Sequence, residues 1–202
     1  MSDFICVICG KKCVPNEDLR LTEKGEPAHS RCHLGRQREE AENTLREIGK
    51  TLGPFPKFLF NKAIEDAKGK NMLFSLKKGF SGDSPPVWIV ATLYKTRGKN
   101  SRYECALYGL TTEEELFRHV NLYMCPSWEQ IGGRGTDIFF FKNGIPVKAT
   151  FPRSIEMGDS TVFNKTDTFP KWTKKDEAKY KKVLKPKKVL KPKKELTHGK
   201  GR

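Results

Sequence analysis

Apolar residues between Leu34 and Leu52 return at gaps of 7, 4, 3 and 4, through Ala41, Leu45 and Ile48, while Arg36, Arg38, Glu39, Glu40, Glu42, Arg46 and Glu47 fill the remaining positions. That is one narrow stripe on a helix, and it predicts helix from Ser30 to Leu52, closed by Gly53-Pro54. A second helix is expected over about Pro56 to Lys68, with Phe58, Leu59, Ala63, Ile64 and Ala67 inward and Gly69 as its stop.

Beyond residue 71 the period changes. Met72-Leu73-Phe74, Val87 to Tyr94 and Tyr103 to Leu110 are rich in β-branched and aromatic residues and bounded by Gly, Pro, Asn and Ser, which predicts strands. Thr111 with Glu114 three residues on offers a capping box for a short helix to about His119. Asn143-Gly144 between two apolar runs, Asp137 to Lys142 and Ile145 to Phe151, predicts a hairpin with a type I′ turn. Pro146 cannot donate to a ladder, so its strand belongs at an edge. The aromatic residues Trp88, Tyr94, Tyr103, Tyr108 and Phe139 to Phe141 are read as core by default, with an interface as the alternative.

From Lys171 the apolar period disappears. Lys181-Lys182-Val183-Leu184-Lys185-Pro186 repeats as Lys187-Lys188-Val189-Leu190-Lys191-Pro192, and Lys193-Lys194-Glu195-Leu196 begins a third copy. Proline at every sixth position and dense lysine predict an extended, disordered tail. The expected fold class is therefore α+β: a small metal-bearing unit and long helix over 1–53, a domain with an antiparallel sheet over 54–170, and the tail over 171–202.

Charge sharpens that division. The 202 residues carry a formal +15, and the excess sits at one end: 9 basic against 9 acidic residues over 1–53, 16 against 12 over 54–170, and 14 against 3 over 171–202. A basic arm of this kind suits a polyanion, because neutralising phosphates releases condensed counterions. A solubilising tail is the plainer use.

The first 33 residues follow neither period. Cys6-Val7-Ile8-Cys9-Gly10 is answered by His29-Ser30-Arg31-Cys32, two ligand pairs each with two residues between. A tight turn with Gly10 at positive φ would aim two thiolates at one ion, and residues three apart on a first helical turn share a face. The spacing points to one structural zinc ion held by Cys6, Cys9, His29 and Cys32. Cys13 in place of Cys9, and His33 in place of His29, remain open as substitutes. Turn signals at Pro15-Asn16 and at Lys24 to Pro27 predict a short hairpin around Leu19 to Thr22. Four of six cysteines clustered at ligand spacing, no secretion-signal pattern at the start and no long apolar run predict a soluble protein of a reducing, intracellular compartment, the nucleus if the cell is eukaryotic.

Knuckle, hairpin and helix-borne ligand pair, in that order, resemble the treble-clef family of zinc fingers, and Cys-x2-Cys, nineteen residues, His-x2-Cys is similar to the first metal site of a LIM domain. The resemblance covers about residues 4 to 50. The second Cys-x2-Cys of a LIM domain does not follow Cys32, since position 35 is Gly35, so it implies a single treble clef. A four-ligand site keeps no open position and acts as scaffold.

Catalytic sets are scarce. Glu115 and His119 form an i, i+4 pair that reads as a solvated helix face, with metal binding or proton transfer as the alternative. Gly132-Gly133-Arg134-Gly135 lacks the lysine and hydroxyl residue of a nucleotide-binding loop and reads as a connector or a backbone-phosphate contact. The resulting expectation is a non-enzymatic, zinc-containing nucleic-acid-binding factor, with DNA ahead of RNA. Its contacts would be Lys11, Lys12, Arg31, Arg36, Arg38 and Arg134 on the folded part, supported by Arg20, and Lys181, Lys182, Lys185, Lys187, Lys188, Lys191, Lys193 and Lys194 in the tail. Such contacts position without reading sequence. A protein-interaction adaptor on a polymerase or ribosome is the alternative, and a zinc-containing nuclease stands third.

Overall fold

The computed structural model describes residues 4–15, 18–82, 84–96, 101–121, 136–157 and 161–185. The order of elements is β1 (Leu19–Leu21), β2 (Pro27–His29), α1 (Ser30–Thr51), α2 (Lys57–Gly69), α3 (Leu73–Phe80), β3 (Trp88–Lys95), β4 (Tyr103–Leu110), α4 (Glu113–His119), β5 (Thr136–Lys142), β6 (Ile145–Val147), β7 (Ala149–Met157), β8 (Thr161–Phe169) and α5 (Lys174–Val183).

The central sheet is antiparallel, in the order β4-β3-β5-β6. Its middle strands are buried on both sides, which is why Phe139-Phe140-Phe141 reads as an unbroken apolar run. Ile89, Ala91, Leu93, Phe139 and Phe141 face α1, α2, α3 and α5; Val90, Ile138 and Phe140 face α4 and the base of the β7–β8 hairpin, where Phe151 and Phe169 lie 5.1 and 5.0 Å from the Phe140 ring. Asn143 and Gly144 take φ of 52° and 75°, the two left-handed positions of a type I′ turn, and β6 with Pro146 is the outer strand.

The stripe on α1 packs from its middle onward. Ala41, Leu45 and Leu52 are buried with Ile48 beside them, and Gly49 lets the Phe60 ring come so close that an added Cβ would lie 2.8 Å from it. Leu34, expected in the same stripe, stays 47 % exposed, because the first turns of α1 run beside the β1–β2 hairpin instead of the sheet. Gly53 at φ 59° ends the helix region.

Four sequence expectations are corrected. Met72-Leu73-Phe74 is not a strand: Asn71 at φ 58° separates α2 from α3, on which Leu73, Leu76 and Phe80 form the buried face. Three apolar residues in a row carry no period, so the spacing to Leu76 and Phe80 decides. The capping box of α4 is shifted by one residue. The Thr112 hydroxyl accepts from the Glu115 amide at 3.1 Å, and the Glu115 carboxylate accepts from the amides of Thr112 and Thr111. Glu115 and His119 accordingly do not form a solvated pair, since His119 is buried with its ring 4.3 Å from that of Tyr108.

The largest correction concerns residues 171–185. Thr173 and Asp176 form a reciprocal capping box that starts α5, and Trp172, Tyr180 and Leu184 are buried in the main core. Trp172 meets Phe139 edge to face at 4.8 Å and stacks on Tyr180 at 5.8 Å, while the Tyr180 hydroxyl donates to Asp137. Three large apolar anchors outweigh the lysine density, which solvent accommodates on the outer face. The folded part therefore extends to Lys185, fifteen residues past the expected boundary. The strand β8, Thr161–Phe169, was not among the expected elements either.

Candidate metal centre

The chain folds around the cysteines through backbone pairing. Ile5 bridges antiparallel to Lys12, the Cys6 amide donates to the Lys11 carbonyl at 2.9 Å and the Gly10 amide to the Cys6 carbonyl at 2.8 Å, with Gly10 at φ 71° closing the turn. The Val7 amide donates to the Pro27 carbonyl at 3.0 Å and ties this knuckle to β2. His29 ends β2 and is the N-cap of α1; Cys32 follows on the first helical turn.

These connections bring one nitrogen or sulfur atom each from Cys6, Cys9, His29 and Cys32 within 4.8 Å of one another, the one group of three or more such side chains among the described residues that could hold a metal ion. His29 Nδ1 lies 3.3 Å from Cys9 Sγ and 3.8 Å from Cys32 Sγ. A tetrahedral ion with metal–sulfur bonds of about 2.3 Å sets its ligand atoms about 3.8 Å apart, so three thiols and one imidazole at these separations fit a metal ion. Cys13 and His33 lie outside the group. Cys13 is buried beside Cys6 and Ala28, and His33 lines a surface cleft with Thr22, Glu26 and Arg36.

The surroundings prepare the donors. On the far side of the His29 ring, Nε2 lies 3.1 Å from the Lys12 carbonyl and 3.4 Å from a carboxylate oxygen of Asp18, which fixes the ring with Nδ1 toward the thiols. Asp18 also accepts from the Val14 amide at 2.8 Å, and its carbonyl accepts from the Ser30 amide at 2.6 Å, so one residue joins the loop, the ligand and the start of α1. Spacing rules select ligands and are silent on such partners; Asp18 carried no signal in the sequence.

Metal-free electrostatics are unequal across the group. At Cys6, burial works to raise the pKa, but amide hydrogen bonds from His29, Cys9 and Ile8 prevail and lower it to about 6. Cys32 is pushed up to about 11 by burial and by the neighbouring Cys9 and Cys6. His29 is raised to about 9, first by the Lys12 carbonyl, against burial, with Cys9, Cys6 and Asp18 adding to it. Full ligation needs three thiolates and a neutral imidazole, so loading such a site releases protons.

The other expected contacts are scattered. Lys11, Lys12, Arg31, Arg36 and Arg38 are exposed around the knuckle and the first turns of α1, with Arg36 paired to Glu40 at 2.9 Å. Lys181, Lys182 and Lys185 are exposed at the end of α5. Arg134, Lys187, Lys188, Lys191, Lys193 and Lys194 lie outside the described residues, as does Cys125; Cys105 is buried, which pushes its thiol pKa up. Among the described residues no helix is long and apolar enough to cross a membrane. No family model, curated protein or solved structure matches the chain.

Proposed function

We propose that the chain is a zinc-containing, non-enzymatic nucleic-acid-binding protein in which a single treble clef braces the basic first turns of a helix. The knuckle, the β1–β2 hairpin and the ligand pair at the start of α1 follow the treble-clef order, and three thiols with one imidazole at tetrahedral separations favour zinc over harder ions. The observation that carries the reading is the charge arrangement. Arg31 stands between the ligands His29 and Cys32, Arg36 and Arg38 follow on the next turn, and the chain past Lys185 holds seven Lys and Arg against one Glu. The body supplies position and the tail supplies sequence-independent phosphate affinity. DNA in an intracellular, nucleoid or nuclear setting is the preferred partner.

The test is binding of duplex DNA, duplex RNA and single strands at two salt concentrations, using the full chain and a chain ending at Lys185. That end point spares Trp172, Tyr180 and Leu184, which a cut at 171 would remove from the core. Loss of the tail is expected to lower affinity for every sequence alike and flatten the salt slope; an unchanged slope rejects the reading.

A second reading, an adaptor on a transcription or translation complex, draws on the exposed apolar residues of the metal unit. Phe4, Ile5, Val7, Ile8 and Val14 are each 36 to 48 % exposed within eleven residues. A stoichiometric protein partner that survives nuclease treatment would favour it.

A further inference from the structure

The root of the basic tail is a shaped cleft. Between α2 and α5 lies a cavity of about 340 Å³ lined by Phe58, Asn61 and Lys62 of α2 and by Lys181, Leu184 and Lys185 at the end of α5, with Glu65 as its one acidic lining residue. The size falls at the lower end of small-ligand sites, roughly 300 to 1,000 Å³. Phe58 is half-buried, its ring held 6.3 Å from that of Trp172, and Lys181 Nζ lies 5.7 Å from the Phe58 centroid. Asn61, exposed one turn along α2, offers both a donor and an acceptor.

The lysines divide by role. Lys62 is committed to buried Asp66 at 2.5 Å, and Asp66 in turn accepts from the Cys105 amide at 2.9 Å, which makes that pair structural. Lys181 makes an exposed i, i+4 pair with Glu177, an interaction weak enough to yield to a phosphate. Lys185 ends the described chain, and Pro186 leads off into the lysine-rich remainder.

We infer that this cleft receives one unstacked base of a single-stranded nucleic acid, stacked on Phe58 and met at its edge by Asn61, with the flanking phosphates on Lys181 and Lys185. The inference rests on the nucleic-acid reading above and names a folded site for it. A base in a duplex keeps its faces covered by its neighbours, so a pocket walled by an aromatic ring selects single strands. An acidic peptide would answer the lysines, and its backbone the amide, but its Asp and Glu side chains offer no flat ring to lie on Phe58, whereas a base with flanking phosphates offers all three. Lys181 and Lys185 belong to the basic run itself, which continues directly past Lys185 in the sequence.

The experiment is fluorescence anisotropy of the zinc-loaded full chain with a fluorescein-labelled fifteen-nucleotide thymidine strand, an abasic strand of equal charge and a duplex of equal length. The base-bearing strand is expected to bind about tenfold more tightly than the abasic one, the order of one stacked base. Phe58→Leu and Asn61→Asp are expected each to erase most of that difference while changing duplex binding less than about twofold. Asn61 is exposed, so its variant keeps the test valid if Phe58→Leu loosens the packing on Trp172. Equal binding of base-bearing and abasic strands, or variants that bind the thymidine strand like the parent chain, overturns the inference and leaves phosphate binding by the tail standing. A parent chain that binds none of the three overturns both readings.

Discussion

Around the metal ligands, Cys6, Cys13 and Ala28 are the buried apolar residues, with Leu19 and Cys32 partly covered, whereas the body buries Phe55, Phe60, Phe140, Phe141, Trp172 and Tyr180 on two faces of one sheet. The first region keeps Phe4, Ile5, Val7, Ile8 and Val14 at the surface, so its apolar residues do little to hold it together. A unit of about thirty residues buries too little area to offset chain entropy, a deficit that ligand bonds to an ion would make up; the body has the area. The two regions should then answer to different insults.

The largest effect expected is from metal removal. A strong chelator, or Cys32→Ser, should abolish amide-exchange protection over residues 4–33 while the thermal transition of the body persists, because structural zinc supplies on the order of 10 kcal/mol to units of this size. A body that melts together with the knuckle would break the comparison.

Next comes the body's own anchor. Trp172→Ala removes a side chain packed on Phe139, Phe141 and Tyr180 and should lower stability by about 3 to 5 kcal/mol, with one metal ion per chain still bound by mass spectrometry. If residues 171–185 were an unstructured tail, the variant would melt like the parent.

Asp18→Ala should weaken zinc affinity by about tenfold in a competitive chelator titration, the typical cost of losing an outer partner of a ligating imidazole, and leave the body's melting temperature in place. The smallest effect is electrostatic and confined to the body. At Glu104, burial works to raise the pKa, but hydrogen bonds from Lys70, Tyr94 and Arg102 prevail and lower it below the ordinary 4.5. A depressed carboxylate stabilises above its unfolded value and loses that contribution as pH falls through the folded one. The melting temperature of the body should therefore drop below about pH 4.5, and Glu104→Gln should flatten that slope.

Legibility divides along the same line. Ligand spacing brought out two donor pairs twenty residues apart, which the fold gathers, because metal chemistry restricts residue type and interval, and β3, β4 and the Asn143-Gly144 hairpin were readable because their apolar runs and turn residues agree. Residues 172–184 were not, since the anchors Trp172, Tyr180 and Leu184 stand at gaps of eight and four among seven lysines and acids in and beside one short helix, and composition hid them. Asp18 and the Lys12 carbonyl escaped because orientation of a ring is settled in space and leaves no interval along the chain.

The unbroken course of α1 has a mechanical consequence. Cys32 stands on its first turn and Leu45 is locked in the core, thirteen residues or about 20 Å further along a rod of fixed rise. A tilt of about 10° at Leu45 would sweep the metal end through about 3.5 Å. Load applied to the knuckle is thus delivered, multiplied by a lever arm, to the packed half of α1, where Leu45 is buried and Gly49 meets the Phe60 ring at close range.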